Sequence, residues 1–318
     1  MSSTVTDIYL PPRFSVVIPL YNKERYIDRA IRSVLAQSFV DFEIVVVDDG
    51  STDNSANILM KHTDPRIKCI HQKNAGVSAA RNIGVRQSSA EFIAFLDADD
   101  EWYPWHLEEL DGLIIDYSDA GIYSVAHKIS QDGKYFLPAR CVDDKFRGYV
   151  ENFFKAFGNG LSLVNSSTAC VNRSAFLDCG GFPVGIRRGE DVYVWLKIAH
   201  ATRLVHSGKV CAVYDRDTVK NLSEIYDPEI PYYFNYLDEL VCGNSLSDKD
   251  RSDANKLLIK SVIVQAAGFR LVGNNYAICE LKKLLIIKRS MFLSAVLSFI
   301  LRAPKKLFLY LRIIRRHA

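Results

Sequence analysis

Several signposts are missing from this sequence. Its seven cysteines, Cys69, Cys141, Cys170, Cys179, Cys211, Cys242 and Cys279, are odd in number, scattered, and never form a CxxC pair, which argues against a disulfide framework and against structural zinc. They read as small apolar thiols kept reduced. The first thirteen residues, MSSTVTDIYLPPR, lack the basic start and apolar stretch of a secretory leader, so a cytoplasmic chain is expected. The apolar run SMFLSAVLSFIL, Ser290 to Leu301, stops at twelve residues, short of the roughly 20 that a bilayer crossing needs. From Leu281 to Ala318 there is no acid beside ten Lys and Arg, leaving a body with 30 basic and 37 acidic residues, a net of −7. Uniform nucleic-acid binding is therefore not expected. No internal repeat and no low-complexity linker interrupts the chain.

What is present fits one large α/β domain with an appendage: 318 residues, 48% hydrophobic and 24% charged. FSVVIPL, Phe14 to Leu20, predicts a buried strand, and the apolar period of Ile27, Ile31, Val34 and Leu35 predicts a helix from about Asn22. EIVVVDD (Glu43 to Asp49), RIKCIH (Arg66 to His71) and EFIAFLD (Glu91 to Asp97) predict three more strands. Such alternation implies a largely parallel sheet with its polar residues at the carboxyl ends, where open α/β sheets bind ligands. Between Tyr103 and Ala212 the pattern is less regular, with a strand expected at GIYSVAHKIS; beyond Tyr226 it turns helical. The expected division is an extension over 1–13, a catalytic α/β domain over 14–225, and a helical region over 226–318 ending in a basic amphipathic tail.

Four short runs carry chemistry. In FLDADDEW, an extended continuation would put the Asp97 and Asp99 carboxylates on one side, two hard oxygen ligands suited to Mg²⁺ or Mn²⁺ on a diphosphate; an acidic solvated turn has the same composition. In VVVDDGSTDNS, Asp49 can accept a hydrogen bond from a base N–H, and Gly50 permits a tight turn; receiver domains also place acids after a strand. NAGVSAARN offers a helix start and Arg81 as a phosphate and sugar contact, or else a helix packing closely through Ala79, Ala80 and Gly84. GED, Gly189 to Asp191, opens a helix: Asp191 can be a general base, while Glu190 is well explained as a first-turn acid.

In order and spacing, SVVIPLYNKERYIDRAIRSVLAQSF, EIVVVDDGSTDNS, NAGVSAARNIG, FIAFLDADDEW, SSTACVNRSAFLDCGGF and GEDVYVWLKIA resemble the inverting family 2 glycosyltransferases of the GT-A fold, of the type that builds bacterial surface polysaccharides; the likeness runs from Ser15 to Ser223. It implies that Pro19 and Tyr21 flank a nucleotide base and Asp49 holds it. It also implies that Asp97 and Asp99 form a DxD pair, with Asp99 the direct metal ligand and Asp97 nearer the ribose, that Mn²⁺ or Mg²⁺ is the cofactor, and that Asp191 is the base. Trp102 matches the aromatic that follows DxD. The sequence departs from the family where a Tyr-Arg-x-His stretch is common: VYDRDTVKNLS offers Arg216 without a neighbouring His. The expected activity is transfer of a sugar from a nucleotide-diphosphate donor, a UDP-sugar, to a hydroxyl of a glycan or lipid-linked acceptor. Acceptor contacts are expected from residues 131–160. His106, His127, His200 and His206 stand singly and are assigned no role. A nucleotidyltransferase and a catalytically silent sugar-binding protein are the rivals; PLYNKERY is a poor Gly-rich phosphate loop, and the intact acids argue against silence.

The tail adds one expectation independent of family. After Pro304, Leu307, Tyr310, Leu311 and Ile314 share one helical face and Lys305, Arg312 and Arg316 another. Such a helix lies in a membrane interface, cations over anionic headgroups, which places the protein on the cytoplasmic face of the membrane. For Ser290 to Leu301 the alternative is packing against the body of the protein.

Overall fold

The structure, a computed structural model, describes residues 10–139, 141–217, 229–304 and 307–308. Four strands begin it: β1 (Phe14–Leu20), β2 (Phe42–Asp48), β3 (Ile67–His71) and β4 (Phe92–Phe95). They pair in parallel in the order β3-β2-β1-β4. In β1, β2 and β4 the side chains alternate between two buried layers, as a period of two demands. Val16, Ile18, Ile44, Val46 and Ala94 join one core, against α1 (Ile27–Leu35) and α4 (His106–Asp116). Val17, Val45, Val47, Ile93 and Phe95 join the other, against α3 (Val77–Gln87) and α7 (Glu190–Ala201). Burial on both faces is why β1, β2 and β4 read as unbroken apolar runs.

The first helix starts at Ile27, later than the expected Asn22, because residues 21–26 are spent on a turn at the sheet edge. Between β2 and β3 lies the short α2 (Ser55–Leu59).

The second half extends the sheet with mixed polarity. After β5 (Glu101–Trp102) come β6 (Ile122–Gln131), β7 (Lys134–Phe136), β8 (Arg147–Tyr149), β9 (Ala169–Asn172) and β10 (Leu204–Asp215), giving the path β4-β9-β6-β10-β5. The strand β9 runs antiparallel to both β4 and β6. The strand at GIYSVAHKIS is therefore present as β6, whereas twelve-residue β10 has no counterpart in the sequence reading. Its apolar pattern is broken by Ser207, Gly208 and Lys209, where pairing with β6 slips in register. A bulge of that kind erases the period of two.

Helices α5 (Phe153–Gly158) and α6 (Arg173–Asp178) complete the domain, and among the described residues five more follow: α8 (Tyr233–Cys242), α9 (Asp248–Val272), α10 (Asn275–Leu281), α11 (Leu285–Lys288) and α12 (Met291–Arg302). They bury a third core that includes Phe154 of α5 and Leu196 of α7, so the helical region is seated on the sheet domain. Ser290 to Leu301 does pack inward, through Leu293, Leu297 and Ile300 on one face of α12. Its opposite face leaves Met291, Phe292 and Phe299 at 90%, 75% and 61% exposure. No helix among the described residues is long and apolar enough to cross a membrane. Of the expected amphipathic tail, Lys305, Tyr310, Leu311, Arg312, Ile314 and Arg316 lie outside the described residues. Among the cysteines, Cys170, Cys179 and Cys211 are buried as expected, but Cys69 and Cys279 are exposed.

The close-packing reading of the NAGVSAARN helix is borne out for its small residues. Ala79 and Ala80 are buried, and a Cβ on Gly84 would stand 2.3 Å from Cγ1 of Val17. Gly84 lets α3 lie directly on β1. Replacing it with Val overpacks this contact at a cost of about 1–3 kcal/mol. We expect Gly84→Val to lower the urea midpoint with an unchanged slope, and equal stability of wild type and variant would show that α3 can move away from the sheet.

Candidate active site

Six residues singled out from the sequence, Pro19, Tyr21, Asp49, Arg81, Asp97 and Asp99, line one cavity of about 440 Å³ at the carboxyl edge of the sheet. Pro19 is buried at the end of β1, and Tyr21, just beyond it, is 45% exposed. Asp49 follows β2 and is buried. Its Oδ1 accepts from Gln72 Nε2 at 2.6 Å and from the Ala75 amide at 2.8 Å, and its Oδ2 from the Gly76 amide at 2.8 Å. A carboxylate has about four lone-pair sites, so this one holds the loop before α3 and keeps capacity for one further donor. Gly50 makes the arrangement possible: its φ is 75°, and a Cβ would lie 2.9 Å from the Asn74 amide nitrogen.

Asp97 and Asp99 do reach the same cavity, but not by extended geometry. The strand β4 ends at Phe95, and residues 97–100 form a turn closed by the Asp100 amide donating to the Asp97 carbonyl at 3.0 Å. Each acid meets a protein cation. Arg81 Nη2 lies 2.6 Å from Asp97 Oδ1, and Lys23 Nζ lies 2.5 Å from Asp99 Oδ2. Buried Arg81 also reaches Glu190 Oε1 with Nη1 at 3.5 Å.

Through Arg81 and Asp97 the first cavity adjoins a second of about 980 Å³, which holds Glu190 and Asp191. These open α7 behind Gly189, whose φ is 73° and whose missing Cβ leaves room for Tyr233 and Pro231. Burial raises the pKa of both acids; Asp191's charge raises that of Glu190 further, and Arg81 pulls both back. Phe136 to Ala139, Asn159 and Gly160 line this cavity from the 131–160 segment, joined by Ser162, Arg216 and Lys260 of α9. His127 lines it as well, its pKa pushed down to about 4 by burial and by nearby Arg216, so it is neutral near pH 7.

Residues 15–179 match the description "Glycosyl transferase family 2". The chain belongs to that family. It is 30% identical to the UDP-Glc:alpha-D-GlcNAc-diphosphoundecaprenol beta-1,3-glucosyltransferase WfgD of Escherichia coli over 206 residues, 63% of this chain and 76% of that protein. The chain spans about 30% of the length of several other curated relatives that it matches. S. aureus TarS 1-349 in complex with UDP-GlcNAc is similar in structure, with a TM-score of 0.70 at 19% identity over 91% of this chain and 87% of that one. The mannosyltransferase PcManGT of Pyrobaculum calidifontis, in complex with GDP-Man and Mn²⁺, gives a TM-score of 0.58 at 18% identity over 91% and 79%. The family 2 fold is thus GT-A, a mixed sheet carrying a helical C-terminal region.

Seen as a family 2 site, the third acid of the DxD turn is set apart. Asp100 is buried, accepts from Ser167 Oγ, and accepts from the Asp215 amide at 2.8 Å. Trp102 lies beneath the turn, donating Nε1–H to the Ser167 carbonyl at 2.7 Å and stacking on His106 at 3.9 Å. The sequence reading missed Ser167, Lys23 and Lys260. Lys23 could have been found as the first cation after β1, whereas Ser167 and Lys260 reach the site only through strand order and helix docking.

Burial, with the nearby Asp97 charge, holds the Asp100 pKa well above its ordinary value. A raised native pKa means that this group lowers stability as pH climbs above about 4, because only the unfolded chain ionises there freely. Asp100→Asn removes that effect; its amide oxygen can still accept from the Asp215 amide, while its NH₂ donates to Ser167 Oγ in the reverse of the wild-type bond. We expect the variant to melt at or above the wild-type temperature at pH 7.5, the difference shrinking as pH falls toward 4. A variant less stable at pH 7.5 than at pH 4, relative to wild type, would reverse the assignment.

Proposed function

We propose that this protein is an inverting glycosyltransferase that moves a sugar from a UDP-sugar to a hydroxyl of a lipid-linked glycan during assembly of a cell-surface polysaccharide. The observation that carries the reading is the shared wall: the cavity with Asp49 and the DxD acids meets the cavity with Asp191 at Arg81 and Asp97. A donor whose base rests between Pro19 and Tyr21 and reaches Asp49 would bring its diphosphate to Asp97 and Asp99. Its anomeric carbon would then lie toward Asp191. In this reading residues 14–225 are the catalytic unit and 226–318 its helical support.

Two carboxylates with hard oxygens, each already drawing a cationic side chain, fit a divalent ion. Among the described residues no cluster of three His, Cys, Asp or Glu could hold a metal without help, which suits Mg²⁺ or Mn²⁺ bound by one or two carboxylates plus substrate phosphates. When bound, that ion would offset the charge gathering on the leaving diphosphate; Asp99, with Asp97, would hold it. The chain's own residues supply the rest. Asp191 takes the proton as the acceptor oxygen bonds to the anomeric carbon. The bond from that carbon to the phosphate oxygen breaks, its electron pair leaving with the nucleotide. Burial makes Asp191 a stronger base than an ordinary carboxylate, since its pKa is raised toward the working range. Arg81 keeps Asp97 and Glu190 fixed around it. One displacement with no covalent intermediate inverts the anomeric configuration.

WfgD is named for a UDP-glucose donor and a diphosphoundecaprenol-linked acceptor, which supports both halves of this reading. The experiment is a screen of UDP-sugars for metal-dependent release of UDP with a lipid-diphosphate acceptor. Asp191→Asn should bind UDP-sugar normally yet turn over roughly 10²-fold more slowly or worse. Excess chelator should silence the wild type until Mn²⁺ returns. Turnover by Asp191→Asn within a few-fold of wild type, or full activity in chelator, would each remove one half of the mechanism.

A lipid-linked acceptor calls for a peripheral position at the membrane, on its cytoplasmic face, through the basic C-terminal tail. The exposed Met291, Phe292 and Phe299 of α12, bracketed by Lys288, Arg289 and Arg302, support it, since apolar side chains ringed by cations suit an anionic interface. The full chain should bind phosphatidylglycerol vesicles, bind phosphatidylcholine poorly, and lose affinity in high salt. Deleting residues 288–318 should abolish binding. Binding indifferent to lipid charge and to the deletion would exclude this attachment.

A further inference from the structure

The donor reading leaves one strained residue unexplained. Asn22, between β1 and α1, has φ of 51°, a left-handed conformation that Asn enters at modest cost but that still needs its surroundings to hold it. They do so densely. The Asn22 side-chain oxygen accepts from the Thr52 amide at 2.8 Å and from the Asp53 amide at 3.3 Å, and the Asn22 amide donates to Ser51 Oγ at 3.2 Å. Next to it, the Lys23 amide donates to Ser55 Oγ at 2.9 Å, and Glu24 exchanges hydrogen bonds with Asp53 and Asn54. The loop after β1 is thereby riveted to the loop after β2.

The consequence of that rivet is the placement of Lys23. Its stem leaves a fixed backbone, and its ammonium sits 2.5 Å from Asp99 Oδ2 inside the donor cavity. Arg81 holds Asp97 in the same way. A divalent ion arriving alone would have to displace an ammonium from Asp99, and would then find too few ligands among the described residues to complete its shell. A nucleoside diphosphate changes both conditions, because it supplies phosphate oxygens to the metal and a new anionic partner to the displaced ammonium.

We propose that Lys23 is a positioning residue, the counter-cation that occupies Asp99 until metal and nucleotide load together, and that then passes to the diphosphate. This rests on the donor-site reading above. It predicts a coupling: UDP strengthens Mn²⁺ binding, and Mn²⁺ strengthens UDP binding by the same factor. Removing the ammonium lets Mn²⁺ bind early and weakens the coupling.

The test measures Mn²⁺ binding by electron paramagnetic resonance, with and without UDP, and UDP binding by calorimetry, with and without Mn²⁺, for the full chain and its Lys23→Gln and Lys23→Arg variants. For Lys23→Gln, Mn²⁺ affinity without UDP should rise about tenfold, and the enhancement by UDP should fall by about tenfold or more, each tenfold being about 1.4 kcal/mol. Lys23→Arg, which keeps the charge, should stay near wild type. Thermal unfolding of all three should stay close, since this partly covered pair faces an open cavity in which water can take the ammonium's place beside Asp99. Unchanged Mn²⁺ affinity in Lys23→Gln would overturn the proposal while leaving the donor reading intact. Failure of the wild type to bind UDP at all would overturn both.

Discussion

Arg81 is the interaction on which the rest of the site depends. A guanidinium buried this fully is costly unless carboxylates surround it, and here they come from opposite halves of the domain: Asp97 from the end of β4, Glu190 from the start of α7. The ring of Phe182 closes a third side, 5.2 Å from the guanidinium carbon. One side chain thus ties the turn carrying the acids proposed to hold the metal to the start of the helix carrying the acid proposed to receive the proton. The close approach of α3 to β1 through Gly84 serves the same end, because α3 carries Arg81. Packing in the core and charge in the cleft are set by one helix.

Acids crowd this edge of the sheet, and the structure handles them in three distinct ways. Asp97 and Asp99 are matched with cations. Asp49 is matched with amide donors of the loop it organises. Asp100 is buried at the edge of the larger cavity and held by Ser167 and the Asp215 amide, with a raised pKa. Asp215 in turn pairs with Arg29 at 2.8 Å, and Arg29 also donates to the Asp99 carbonyl at 2.5 Å. The turn that presents the DxD acids is therefore braced from β10 and α1, elements far from it in sequence.

Much of the first half was legible because its physics is local. Strands buried on both faces announce themselves as apolar runs, and the acids after β2 and β4 stand where parallel sheets place ligands. Where the sequence reading went astray, a non-local cause intervened. The bulge at Ser207 to Val210 hid β10. The turn at 97–100 brought Asp97 and Asp99 together by a route that a period of two does not describe. The strained Asn22 delayed the start of α1 and aimed Lys23. The bulge and the Asn22 turn depend on partners that no window of neighbouring residues contains; the 97–100 turn closes locally, the Asp100 amide on the Asp97 carbonyl, and takes only its bracing by Arg29 and Ser167 from tertiary structure.

The two cavities differ in how they are built, and this explains why one half of the proposed reaction is easier to read than the other. Every residue lining the smaller cavity falls between Pro19 and Asp99, inside the 15–179 match to the family. The larger cavity takes Glu190, Asp191, Tyr214, Arg216 and Lys260 from beyond that match, together with Phe136 to Ala139 from a loop within it. A wall assembled from a strand end, a loop and a docked helix can change residue by residue without disturbing the sheet. The smaller cavity, by contrast, is tied to the turns that close β1, β2 and β4, so altering it means altering the fold. In the proposed reading, the wall holding Arg216, Lys260 and neutral His127 is where the choice of acceptor would be made, and of these Arg216 and Lys260 lie beyond the family segment.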